Sequence, residues 1–255
     1  MNTVIVIPTY NERENIGPLI TRCMALPLRL DLFFIDDGSP DGTGQLLESL
    51  RSSHPHLRVM HRPGKLGLGS AYREAFRLLL KEPYDCYVTM DADLSHRPES
   101  IPDLIRRVKE ADLVLGSRYT QGGGSKNWSV VRQLLSRTAN RLARNLLGLN
   151  VKDATGGFRC YRRELLAALD QLDVRSNGYS FLVEMAYYTQ RMGFRLHEVP
   201  IIFEERYLAK SKMSQSEVIK AIQTLLRLFL HRLSGRRVVN PSSLARGGPG
   251  PKEPN

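Results

Sequence analysis

Five short runs rich in β-branched and aromatic residues, separated by amphipathic stretches, set the architecture of the first half of this chain. Val4–Ile7, Leu32–Asp36, Leu57–His61, Cys86–Met90 and Leu113–Leu115 read as strands. Glu14–Ala25, Gly42–Ser52, Gly69–Lys81 and Glu99–Lys109 read as helices between them. This alternation predicts an α/β fold with a mostly parallel central sheet and helices on both faces. In such folds ligands collect beyond the carboxyl ends of the strands, so the polar residues following each strand are the candidates for function.

After about Arg118 the pattern changes. A Gly-rich loop, Gln121–Ser125, leads into a basic helical stretch, Trp128–Leu147. Thr155-Gly156-Gly157-Phe158, a helix around Ser180–Met192, a β-like run Leu196–Phe203 and an amphipathic stretch Gln215–Leu233 follow. From Ser234 onward Pro, Gly, Ser and Arg dominate, which predicts a disordered tail over 236–255 behind one folded domain over 1–235. Val4–Ile7 reaches Pro8 without a basic leader and reads as a first strand rather than a signal peptide. No apolar run approaches the ~20 residues of a membrane span.

The formal net charge of +11 implies an anionic partner: nucleic acid, acidic lipid headgroups or a phosphorylated substrate. The basic residues form no nucleic-acid-binding pattern, so nucleic acid is not expected. Cys23, Cys86 and Cys160 are widely spaced and read as buried free thiols.

Asp91-Ala92-Asp93 directly follows the apolar run Tyr87–Met90. Two carboxylates at one strand end are costly unless a cation sits between them, and oxygen ligands suit Mg²⁺ or Mn²⁺. A solvated acidic turn is the other reading. The first strand ends in Pro8-Thr9-Tyr10-Asn11-Glu12 and the second in Ile35-Asp36-Asp37-Gly38-Ser39. Three strand ends thus face one crevice with an aromatic ring and several carboxylates, a layout suited to a nucleoside; Ser39 and Asp41 also read as helix caps.

Val-Ile-Pro-Thr-Tyr-Asn-Glu, Ile-Asp-Asp-Gly-Ser-Pro-Asp-Gly-Thr and Met-Asp-Ala-Asp-Leu-Ser-His resemble the signature of family-2 glycosyltransferases with the GT-A fold. Leu115–Tyr119 with the Gly-rich loop, Thr155–Arg159, and Arg206 followed by Ser211-Lys212-Met213 resemble the polyprenol-phosphate (dolichol-phosphate) mannose synthases within it. The resemblance implies that Pro8, Tyr10, Glu12, Ile35 and Asp37 hold the guanosine of GDP-mannose. It implies that Asp91, Ala92 and Asp93 meet ribose, metal and diphosphate, with Asp93 the main metal ligand, and that Arg118, Arg206 and Lys212 surround the donor and acceptor phosphates. Residues 1–117 then form the nucleotide-sugar half and 118–235 the acceptor half. Some relatives carry Gln where this chain has Ser95, so Ser95 is not expected to ligate the metal. The family's inverting members imply displacement with inversion.

A polyprenyl phosphate acceptor, with a second pKa near ~6, is largely dianionic at neutral pH and needs no catalytic base. The site must supply positive charge, from Asp93's metal together with Arg118, Arg206 and Lys212. Arg132 is either a further acceptor-phosphate contact or a surface charge. Glu184 either orients an arginine or has a structural partner, the second being favoured; His96 reads as a loop residue rather than a ligand. Gln215–Leu233 places Val218, Ile219, Ile222, Leu225, Leu226, Phe229, Leu230 and Leu233 on one stripe, and Trp128–Leu147 is similar. Both helices either cover the domain or contact the cytoplasmic membrane face as a peripheral anchor, alone or with a membrane-anchoring partner protein. UDP-glucose as donor is the alternative within the enzyme class, and a nucleotide-sugar-binding scaffold subunit the alternative outside it.

Overall fold

Residue alternation along the central strands divides the interior into two cores. The computed structural model describes residues 1–204, 215–235 and 238. Strands β1 (Thr3–Thr9), β2 (Leu30–Asp36), β3 (Leu57–His61), β4 (Cys86–Thr89) and β5 (Leu113–Ser117) alternate with helices α1 (Arg13–Met24), α2 (Thr43–Arg51), α3 (Leu68–Leu79) and α4 (Ile101–Arg107). Val4, Val6, Phe33, Ile35 and Tyr87 point to one side of the sheet, against Tyr72, Phe76 and Leu79 of α3. Ile5, Ile7, Leu32, Phe34 and Val88 point to the other, against Ile16, Leu19 and Leu104 of α1 and α4. A parallel strand covered on both faces is apolar at every position, which is why these strands read as continuous hydrophobic runs.

The second half adds β6 (Gly124–Lys126), α5 (Val130–Leu147), β7 (Arg159–Arg162), α6 (Arg163–Asp170), α7 (Ser180–Arg191), β8 (Leu196–Pro200), β9 (Ile202–Glu204) and α8 (Gln215–Leu233). The seven-stranded sheet has the order β3-β2-β1-β4-β7-β5-β8, and β6 pairs with β9 in a small second sheet. β7 runs antiparallel to both β4 and β5; the other pairings in the large sheet are parallel. The expected α/β architecture is therefore present, with one reversed strand wedged into its middle.

The expected run Leu196–Phe203 is two strands in two sheets, because Ile201 turns inward and its N–H donates to the Ser117 carbonyl. The expected single stripe on α8 also divides. Leu228 is buried and Leu225 and Phe229 pack on the core, while Val218, Ile219, Ile222, Leu226, Leu230 and Leu233 stay exposed. Among the described residues no helix is long and apolar enough to cross a membrane. Cys23, Cys86 and Cys160 are free and buried.

Candidate functional site

The first two strand ends are stitched together by short polar side chains. The Asp36 carboxylate accepts from Thr9 Oγ1 at 3.2 Å, Ser39 Oγ at 2.5 Å and Ser39 N at 3.2 Å. Ser39 Oγ in turn accepts from the main chain of Asn11, which sits in the left-handed region at φ 59°. Thr43 Oγ1 accepts from Glu12 N, and Asp41 accepts from Thr43 N and Arg13 N. Asp36, Ser39 and Asp41 are thus committed to loop geometry.

The side chains of Tyr10 and Asp37 stand outside this stitching. The Tyr10 ring is 37 % exposed, with Lys65 Nζ 4.6 Å from its centroid. Asp37 is buried and accepts from Arg62 Nη1 at 2.6 Å, while Arg62 Nη2 donates to Ser70 Oγ at 2.6 Å. Burial pushes the Asp37 carboxyl above its ordinary range; the Arg62 guanidinium opposes this without cancelling it. Ile35 and Ala92 are buried in the two cores, so any ligand contact they make is through the main chain. Pro8 lies opposite Ile35 in the β1–β2 register, and Glu12 accepts from Asn15 Nδ2 at 2.7 Å.

β4 delivers Asp91 and Asp93 beside the β1 end. Asp93 Oδ1 accepts from Ser95 N at 3.0 Å and Ser95 Oγ at 2.6 Å, which fixes the carboxylate and occupies the serine hydroxyl. The main-chain N–H of Asp91 donates to His96 Nδ1 at 3.0 Å. His96 is buried, stacked on Phe158 at 5.1 Å and edge-on to Phe203 at 5.3 Å. Its ring and Nδ1 support the acidic turn. Among the described residues no group of three or more His, Cys, Asp or Glu forms a closed metal cage. Two carboxylates on a strand end do fit a hard cation that takes its remaining ligands from substrate phosphate and water.

The third cluster lies beyond β5. Arg118 Nε and Nη2 each donate at 2.7 Å to opposite oxygens of Asp153, and Nη2 also donates to Thr155 Oγ1 at 2.9 Å. The guanidinium carbon lies 5.3 Å from the Tyr119 and Trp128 ring centroids and 5.6 Å from Phe203. Arg132 stacks on Trp128 at 4.3 Å. Burial pushes the Asp153 carboxyl up, but the bidentate Arg118 pair outweighs it and holds the net value below the usual range. Burial likewise opposes the Arg118 charge, and Asp153 overcomes it.

The Phe203 ring contacts His96 under the acidic turn and Trp128 beside Arg118, so β9 joins these two clusters. Arg206 and Lys212 lie outside the described residues. Asp153, Arg62 and Phe203 escaped the sequence reading. Arg62 directly follows β3, where a strand-end rule finds it; Asp153 needs a contact across 35 residues. Glu184 is fully buried and accepts from Arg175 N at 3.4 Å, Ser176 N at 2.9 Å and Arg227 Nη2 at 2.7 Å. Both of its expected roles hold: it orients an arginine and pins a loop.

The glycosyl transferase family 2 pattern matches residues 4–170. An undecaprenyl-phosphate mannosyltransferase of Micrococcus luteus is 43 % identical over 227 residues, 89 % of this chain and 93 % of that protein. A polyprenol monophosphomannose synthase of Mycolicibacterium smegmatis is 45 % identical over 222 residues, 86 % of this chain and 84 % of that protein. Among solved structures, a mannosyltransferase of Pyrobaculum calidifontis in complex with GDP-Man and Mn²⁺ superposes with a TM-score of 0.59 at 17 % identity, over 91 % of this chain and 64 % of that one. Glucosyl-3-phosphoglycerate synthase of Mycobacterium tuberculosis with Mn²⁺, UDP-glucose and phosphoglyceric acid does so with 0.65 at 20 % identity, over 89 % of this chain and 79 % of that one. These structural likenesses speak to the fold, whereas the pattern match and the two relatives decide membership: the chain is a glycosyltransferase enzyme and belongs to glycosyl transferase family 2.

Proposed function

We propose that this chain transfers mannose from GDP-mannose to a polyprenyl phosphate at the cytoplasmic face of a membrane, giving polyprenyl phosphate β-mannose and GDP. The observation that carries this reading is its identity, along most of its length, with two relatives named for mannose transfer to polyprenyl phosphate or for polyprenol monophosphomannose synthesis. The site supports it residue by residue. Tyr10 offers a flat face for a guanine ring, and Asp37, held by Arg62, accepts hydrogen bonds from the base edge. Pro8, Glu12 and the main chain of Ile35 complete the nucleoside wall.

Asp91, Ala92 and Asp93 face ribose and diphosphate, with Asp91 and Asp93 positioned to hold Mg²⁺ or Mn²⁺. A divalent cation bound there supplies neutralisation of the charge that builds on departing GDP. Arg118 and Arg132, both against the Trp128 ring, together with Arg206 and Lys212, draw the acceptor phosphate toward the sugar. The phosphate is already ionised, so no side chain has to remove a proton; positioning and charge carry the step. Direct attack on an α-linked donor gives a β-linked product.

Incubation with labelled GDP-mannose or UDP-glucose, Mg²⁺ and a polyprenyl phosphate tests the proposal. A mannolipid cleaved by mild acid is the expected product. Transfer from UDP-glucose alone would reassign the donor, and absence of any transfer with bound GDP would revive the scaffold reading.

A further inference from the structure

Three residues of α5 are buried, Asn140, Ala143 and Leu147, and Asn140 is the one polar member. It is 3 % exposed. A buried carboxamide is costly unless each of its groups is paired, and a leucine of similar size would cover the domain without that cost. Asn140 is paired at both ends. Its Oδ1 accepts from Ala154 N at 2.9 Å, and its Nδ2 donates to the Ser136 carbonyl at 3.0 Å and to Thr155 Oγ1 at 2.9 Å. The main-chain N–H of Ala154 can only donate, so the amide has one orientation and Nδ2 faces Thr155.

Thr155 carries this constraint to Arg118. A hydroxyl has one hydrogen and two lone pairs. Asn140 Nδ2 and Arg118 Nη2 both donate to Thr155 Oγ1 at 2.9 Å, which leaves its hydrogen for Asp153 Oδ1 at 3.3 Å. The same Asp153 oxygen accepts from Arg118 Nη2, so Arg118, Asp153 and Thr155 close a polar ring that α5 holds through Asn140. At the start of this loop Glu198 of β8 accepts from Lys152 N and Asp153 N, each at 2.8 Å. Tyr119 adds a second tie to α5, its hydroxyl donating to Ser136 Oγ at 2.7 Å. The ring commits Nε and Nη2 of Arg118, whereas Nη1 donates to none of the described residues. The two N–H groups of Nη1 are thus the ones open to a ligand.

We infer that Asn140 is a positioning residue for sugar transfer: through Ala154 and Thr155 it holds Arg118 so that Nη1 is offered to a phosphate oxygen of the acceptor. The inference rests on the proposed role of Arg118 at that phosphate. Asn140 is buried and acts only through its two neighbours. An amide serves here because it supplies an acceptor and a donor from one helix position, which neither a carboxylate nor an aliphatic side chain does. In Asn140→Asp the oxygen that replaces Nδ2 takes the Thr155 hydrogen, Thr155 releases Asp153, and the ring opens. In Thr155→Val the ring loses its hydroxyl while the bond from Ala154 to Asn140 is kept.

The test is titration calorimetry of the full chain with a short, water-soluble prenyl phosphate in the presence of GDP and Mn²⁺, beside steady-state transfer from the sugar nucleotide that wild type uses. Asn140→Asp and, separately, Thr155→Val weaken prenyl phosphate binding and raise the acceptor KM by about tenfold, while GDP affinity and donor KM stay unchanged. The double variant adds little to the larger single effect, because both substitutions open one ring. A residue that merely seats α5 would lower the melting temperature and leave the acceptor KM in place. That result would overturn the inference, as would additive losses, an equal loss of GDP affinity, or a wild type with no affinity for the prenyl phosphate. Should Asn140→Asp fail to fold, Thr155→Val carries the same comparison. Wild type that binds the prenyl phosphate but transfers no sugar removes the proposed function and leaves the affinity comparison standing. Wild type that transfers sugar while both variants bind the phosphate equally well does the reverse.

Discussion

Arg118 and Asp153 form a bidentate ion pair with both bonds at 2.7 Å, and the Asp153 side chain is wholly shielded from solvent. Asp153 also receives the Arg118 main-chain N–H, so one carboxylate fixes both ends of the arginine.

Asp153→Asn removes the charge that keeps Arg118 folded inward. Breaking a buried pair costs about 3–5 kcal/mol, which for a chain of this size lowers the melting temperature by about 6–20 °C. Misplacing Arg118 lowers kcat/KM by about 10²-fold. Because the folded carboxyl titrates below its unfolded value of about 3.9, the pair stabilises above that pH and is lost as pH falls through the folded value. Urea denaturation at several acidic pH values shows this component in wild type and not in Asp153→Asn.

Asp37 behaves in the opposite sense. Its folded carboxyl lies above the ordinary range, so its ionisation disfavours folding as pH rises. The acid limb of kcat/KM for the donor falls above the usual carboxylate pKa. Arg62→Gln removes the cation that opposes burial, so the limb moves to higher pH, with kcat/KM about tenfold lower near neutrality. A limb that stays in place would show that Asp37 is not the base contact.

Asp93→Ala is expected to lower turnover by about 10³-fold or more with little change in melting temperature. Titration calorimetry gives a separate readout: Mn²⁺ tightens GDP binding to wild type and does not do so in the variant. Chelator-treated wild type behaves like the variant and recovers when Mg²⁺ or Mn²⁺ is restored.

Glu184→Ala leaves the N–H groups of Arg175 and Ser176 and the Arg227 guanidinium without their acceptor. The cost is about 3 kcal/mol, seen as a lower urea midpoint at unchanged slope. Glu184→Gln keeps one acceptor oxygen and recovers part of it.

The elements that were legible in the sequence are those whose burial imposes a period. β3 and α8 have the boundaries read from the chain, because Pro55 and Pro63 bracket the first and Ser214 and Ser234-Gly235 flank the second. β7 was illegible for the converse reason. It is the run Arg-Cys-Tyr-Arg, and its first arginine is buried by donating to the carbonyls of Gly156, Leu182 and Ala154. No local pattern announces a charge satisfied by carbonyls of the preceding loop and of α7. The acidic turn and the polar ends of β1 and β2 were legible because strand ends are adjacent in sequence to the strands. Asp153 and Phe203 were not, since their partners are fixed only by packing; Arg62 directly follows β3, within reach of the same strand-end rule.

The reversed strand β7 also decides what can close the site. Neighbouring strands lie about 4.8 Å apart, so β7 holds the ends of β4 and β5 about 10 Å from each other. Were they direct neighbours, the Asp93 carboxylate and the Arg118 guanidinium would be free to neutralise one another. Kept apart, the Asp93 carboxylate stays with Ser95 and the Arg118 guanidinium with Asp153, so each strand end is set by its own neighbours rather than by the other's charge.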